Sequence, residues 1–189
     1  MRTFRTLAAG AALLAAAPAM ASLDGHTVDI DHLYPNSGSF YTGVARVVVG
    51  PDLEVPDYAG VTSFDLAPTT ITIELAAGLQ VWPGDGSATS FDGYRFSDAL
   101  GMIPAIVGVA VGAGTDLPGF GSGRLAFDGD HVFVNLEGLA ATDGPRRVVV
   151  ELLFAPVPEP GSGALWAAGA ALVGMAARRR LTSAPRPRA

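Results

Sequence analysis

Thr70-Ile71-Thr72-Ile73-Glu74-Leu75 alternates polar and apolar residues without a break. A strand built on it places Ile71, Ile73 and Leu75 on one face and the polar side chains on the other, because successive Cβ atoms point to opposite sides of a sheet. His131-Val132-Phe133-Val134-Asn135-Leu136 repeats the pattern with Val132, Val134 and Leu136. Working outward, the same reading predicts strands at residues 27–33, 44–49, 94–96, 106–111, 124–127 and 147–154. The runs Val47-Val48-Val49 and Val148-Val149-Val150 are continuous, which predicts strands covered on both faces or near a sheet centre. Between the strands stand Asp24-Gly25, Pro83-Gly84-Asp85-Gly86, Asp92-Gly93, Pro118-Gly119, Asp128-Gly129 and Asp143-Gly144-Pro145, residue pairs that favour turns. No amphipathic helix of two turns is evident, and Ser97 to Met102 offers one turn at most. Short strands punctuated by Gly, Pro and Asp predict an all-β domain, a single β-sandwich or jelly-roll-like unit.

Charge divides the chain into three parts. Residues 22–155 hold seventeen carboxylates against five arginines, a net of −12, whereas both flanks are positive. An acidic surface argues against nucleic acid as a partner, since phosphate binding needs clustered cations. It favours solubility and repels anionic lipid. Cysteine is absent, which excludes disulfides, thiolate nucleophiles and Cys-based zinc sites, so stability must come from a core. About 134 residues suffice for one domain.

The N-terminal flank reads as a signal peptide over residues 1–21. Arg2 and Arg5 form a basic n-region, Leu7 to Ala17 an apolar h-region, and Ala19-Met20-Ala21 a small-residue cleavage site that leaves Ser22 as the mature start. No twin-arginine pair is present, so the partners expected here are the general secretory translocon and signal peptidase.

The C-terminal flank, residues 156–189, is the most specific part of the chain. Pro156, Pro158 and Pro160 preclude a helix and favour an extended, polyproline-like stretch. Gly161 to Ala177 is uncharged and apolar, and as a helix reaches roughly 25 Å, just enough for a single transmembrane helix. The basic tail, residues 178–189, begins with Arg178-Arg179-Arg180, which holds that end on the cytoplasmic side and leaves Glu159 outside. The span is rich in Ala and Gly, as suits a temporary anchor in the inner membrane.

Val157-Pro158-Glu159-Pro160, the span at 161–177 and Arg178 to Arg180 together resemble the PEP-CTERM sorting signal of bacterial surface proteins. That resemblance implies recognition and processing by an exosortase, a membrane peptidase, near residues 157–160. It further implies delivery to the cell surface or exopolysaccharide matrix of a bacterium with an outer membrane. Leu181 to Ala189 extends beyond the family's usual stop.

Within the acidic domain no motif announces catalysis. His26, His32 and His131 show no HExxH spacing, no Gly-x-Ser-x-Gly elbow occurs, and Gly119-Phe120-Gly121-Ser122-Gly123 lacks dinucleotide-binding spacing and reads as a flexible loop. Asp29 and Asp31 share a strand face, Asp128 and Asp130 are likewise two apart, and all are hard oxygen donors suited to Ca²⁺, although no EF-hand pattern surrounds them. His131 should point to solvent, opposite Val132 and Val134. Among the aromatics Trp82 and Phe96 should pack in the core, while Tyr34, Tyr41 and Tyr58 fit either the core or a sugar-stacking face. The expectation is therefore a non-catalytic, cofactor-free surface or matrix protein. The alternatives are a carbohydrate-binding or calcium-binding module, or a hydrolase.

Overall fold

The computed structural model describes residues 21–81, 89–156, 169–170 and 173. Ten strands run β1 (Thr27–Leu33), β2 (Phe40–Val48), β3 (Val55–Tyr58), β4 (Thr62–Ala67), β5 (Thr70–Leu75), β6 (Gly93–Asp98), β7 (Ile106–Val111), β8 (Leu125–Phe127), β9 (His131–Asn135) and β10 (Arg146–Phe154). They form two five-stranded sheets, ordered β2-β1-β6-β9-β8 and β3-β4-β5-β10-β7, with antiparallel pairing throughout. The protein is an all-β sandwich. Among the described residues of this domain the helical content is one 3-10 turn, Ser122–Arg124.

The period of two explains the core. Val28 and Ile30, Phe64 and Leu66, Ile71, Ile73 and Leu75, Val132 and Val134, and Val148 and Val150 all face inward and are buried, the result expected when two sheets each contribute alternate residues. Phe64, fully buried, lies edge-on to Tyr94 at 4.7 Å and to Phe96 at 5.9 Å between ring centroids.

Two strands escape the sequence reading. In β4, Thr62 occupies the first inward position, so the alternation opens on a polar residue; burial is tolerated because Thr62 Oγ1 accepts a 3.2 Å hydrogen bond from the Tyr94 hydroxyl. In β3, Pro56 lacks a backbone donor, and the strand lies at a sheet edge as such a residue requires. The expected strand at 44–49 is the second half of β2, and that at 124–127 loses Arg124 to the 3-10 turn.

Of the two valine runs, 148–150 is covered as expected and 47–49 is not. β2 is an edge strand, so Val48 is 63% exposed while Val49 is buried. β10 is internal to its sheet, and the outer side of Val149 is covered by Gly112 and Gly114; a Cβ at Gly112 would lie 2.6 Å from a Val149 methyl. Residues 97–102 are strand and bends, with no helical turn.

Both ends of the domain's chain leave from one end of the sandwich. Leu23 donates its N–H to Pro68 O and Leu152 donates to Thr69 O, each at 2.8 Å, so the first and last segments meet the same β4–β5 turn. Among the described residues Leu23 is the first buried one, and Ala155 N, bonded to Ala105 O at 2.8 Å, makes the last backbone tie.

Candidate functional site

The opposite end of the sandwich collects the ends of β1 and β3 and the starts of β2, β4 and β6. His32 follows Val28 and Ile30 on the inward face of β1, at the point where that face runs out of aliphatic partners. Its Nε2 lies 2.7 Å from Asp92 Oδ1 and its Nδ1 3.1 Å from the Tyr58 hydroxyl. A carboxylate can only accept, so Nε2 donates to Asp92; Nδ1 of the neutral ring then accepts from Tyr58. The pair is reachable from solvent, with side-chain exposures of 20% for His32 and 13% for Asp92.

Every tyrosine of the chain gathers around this histidine. Ring centroids of Tyr41, Tyr94 and Tyr58 lie 5.2, 5.3 and 6.1 Å from that of His32, and Tyr34 stands edge-on to Tyr41 at 6.3 Å. The rings form a gradient from the core outward: Phe64 and Tyr94 are buried, Tyr58 and Tyr34 half-buried, and Tyr41, beside the equally exposed Phe40, is 63% exposed. Edge-to-face contacts of this kind add to the stabilisation given by burial alone.

Burial raises the pKa of both inner phenols. For Tyr58 the charges of Tyr41 and Asp92 add to the desolvation. For Tyr94 desolvation outweighs the opposing hydrogen bond to Thr62. Both hydroxyls therefore stay protonated well into the alkaline range. Gly93 makes the geometry possible, because a Cβ there would meet the Val134 carbonyl oxygen at 2.0 Å. The close approach sets Asp92 at the mouth of the site, where Asn135 Oδ1 accepts its N–H at 3.2 Å.

Chemically, the cluster offers planar rings beside hydrogen-bonding hydroxyl, imidazole and carboxylate groups. Both ring nitrogens of His32 are engaged, and the hydroxyl next to it is a phenol held neutral. That arrangement suits stacking and hydrogen bonding better than activation of a nucleophile.

The other expected residues lie apart from this cluster. Asp29 and Asp31 share the outer face of β1 as their spacing requires, but each faces a guanidinium. Arg46 grips Asp29 through two bonds of 2.5 and 2.6 Å, holding that carboxyl below its usual range, and Arg95 meets Asp31 at 2.6 Å. Such compensation removes the unbalanced negative charge a calcium site relies on. Asp128 Oδ1 accepts the N–H groups of Asp130 and His131 and meets His131 Nδ1 at 2.8 Å. Burial raises the Asp128 pKa, but these bonds outweigh it and the net shift is downward. Among the described residues no group of three or more His, Cys, Asp or Glu could hold a metal ion.

His131 is on the outer face, half-exposed, with its ring 5.9 Å from Phe133. His26 lies in the turn before β1, at the far end from His32, with Val49 N–H on its carbonyl. Phe96 is buried as expected, and Trp82 lies outside the described residues. The glycine-rich stretch at 119–123 is pinned by Arg124, whose guanidinium donates to Gly119 O at 3.2 Å and Glu137 O at 2.7 Å.

Sequence reasoning missed the pairing of His32 with Asp92. Half of the signal was available, since His32 extends the inward series of Val28 and Ile30 by one step of two. The other half, sixty residues away, depends on β1 pairing with β6.

Of the flanking positions, Ala21 packs partly buried against the core and Ser22 is half-buried. Ala19, Val157, Pro158, Glu159, Pro160 and Arg178 to Arg180 lie outside the described residues, as does most of the expected span. Within it Gly169, Ala170 and Val173 are helical. Among the described residues no helix is long and apolar enough to cross a membrane.

Compared with known families, residues 156–180 match the PEP-CTERM protein-sorting motif. No curated protein and no solved structure matches the chain.

Proposed function

We propose that this chain, which carries the PEP-CTERM protein-sorting motif over residues 156–180, is the precursor of a non-catalytic protein of the cell surface or exopolysaccharide matrix. The motif marks it for exosortase and for export to the surface, and that match is the observation on which the reading rests. In this reading residues 1–21 are removed by signal peptidase, residues 161–177 anchor the β-sandwich briefly in the inner membrane, and cutting occurs near Val157 to Pro160. Several features support it. Among the described residues the first buried one, Leu23, follows the expected cleavage after Ala21 by two positions, and the last backbone tie, at Ala155, precedes the motif. Within the expected span Gly169, Ala170 and Val173 are helical.

Mass spectrometry of the mature protein from a host with an intact exosortase tests the reading at both ends. A chain starting at Ser22 and ending within residues 157–160 is expected; a full-length product still carrying Arg178 to Arg180 overturns it.

The tyrosine cluster favours a second reading alongside the first, in which the surface protein holds matrix polysaccharide. Exposed Tyr41 and Phe40 supply stacking faces, and Tyr34, His32 and Asp92 supply hydrogen-bonding groups around them. Saturable binding to the host exopolysaccharide, lost in Tyr41→Ala, is expected. Absence of binding across a glycan panel rejects it.

A further inference from the structure

The end of the sandwich from which the tail departs carries an apolar rim. Leu100 is 60% exposed, Met102 67%, Leu153 64%, Val107 50% and Phe127 43%. Backbone bonds bring these residues together: Ala155 N to Ala105 O at 2.8 Å, Ile106 N to Gly129 O at 2.9 Å and Asp98 N to Asp130 O at 3.0 Å. The loop of residues 99–105 is thereby set between the end of β10 and the turn before β9.

That loop is a built feature. Asp98 accepts the N–H of Leu100 at 3.2 Å on one carboxylate oxygen and that of Ile103 at 2.7 Å on the other. Gly101, at φ +66°, supplies the left-handed residue that turns the tip. Leu100 and Met102 flank it, while Ile103 turns back to pack on the core. Two large aliphatic side chains are thus held outward on a capped tip, a costly display in water.

We propose that this tip docks into the interfacial layer of a zwitterionic lipid bilayer while the tail holds the domain beside it. The inference rests on the anchored-precursor reading above. Ala155 is fixed to the rim, and the five residues 156–160 separate it from the span. Fully extended at about 3.6 Å each, they reach no further than about 18 Å. The tyrosine end stands a further strand length away, roughly 30 Å for the nine residues of β10. Asp98, Asp128 and Asp130 border the rim, so an anionic surface would be repelled and a zwitterionic one accepted.

The chain contains no cysteine, so single-cysteine variants of the full-length protein can each be labelled with an environment-sensitive fluorophore and reconstituted in phosphatidylcholine vesicles bearing shallow nitroxide-lipid quenchers. A several-fold loss of emission is expected for Met102→Cys and for Val173→Cys, with none for Ser37→Cys at the tyrosine end, and Leu100→Ser should weaken the quenching at Met102→Cys. Quenching at Val173→Cys without quenching at Met102→Cys overturns the docking and leaves the anchor standing. Quenching at neither position removes the anchor and the docking with it. A blue shift at Met102→Cys that lipid nitroxides do not quench means a second protein copy covers the rim, which also overturns the proposal. Equal quenching at Ser37→Cys refutes the orientation.

Discussion

At the end of the sandwich opposite Ala155, exposed aromatic rings are the outermost members of a stack that begins in the core. Phe64 supports Tyr94, Tyr94 borders Tyr58 and His32, and His32 carries Tyr41. At the end that holds Ala155, Leu100 and Met102 project from a loop held by backbone bonds to a single carboxylate. In the first case exposure is continuous with packing, so a residue there serves stability whatever else it does. In the second the exposed side chains add little to the fold, and their presence asks for an explanation outside it. The two ends are thus distinguishable by how much stability each forfeits on substitution.

The largest contrast is expected from Phe64→Ala. It removes a fully buried ring at the base of the aromatic stack and should lower unfolding free energy by about 3–5 kcal/mol, read by chemical denaturation of the full chain. A loss below that of an ordinary surface change would break the claimed continuity. Alkaline titration sharpens it further. Burial raises the pKa of Tyr58 and Tyr94 above the ordinary 10.0, so their contribution is complete below that value and is lost as pH rises through the folded pKa values. Late phenolate absorbance accompanied by falling stability is expected, and Tyr94→Phe should flatten the fall.

His32→Ala comes next. It strips Asp92 and Tyr58 of a shared partner and should cost about 1–3 kcal/mol, measured by the same denaturation. At the other end Leu100→Ser should change stability by less than about 0.5 kcal/mol while weakening membrane proximity. A large destabilisation there would show the rim to be structural and erase the contrast.

Much of the sandwich was legible in the chain because the inward faces of β5, β9 and β10 carry aliphatics at a spacing of two. The strands β1, β5 and β7 start and stop where the pattern does. β4 was hidden by Thr62, whose burial makes sense only once the Tyr94 hydroxyl is opposite it, and β3 by Pro56. Candidate site residues fared unevenly. Asp29 and Asp31 do share a face, but their arginine partners come from β2 and β6 and no local pattern names them. The tyrosines could be counted in the sequence but not gathered, since Tyr34, Tyr41, Tyr58 and Tyr94 belong to separate segments that only the strand pairing brings to one end.

The turn between β4 and β5 receives a backbone bond from Leu23 and another from Leu152. In the proposed maturation, a body clasped at a single pole by its opening and closing segments would shed its leader and its trailer in either order without unthreading a strand. On the proposed maturation, trimming at both margins would take place beside one pole and leave the aromatic pole clear of either peptidase.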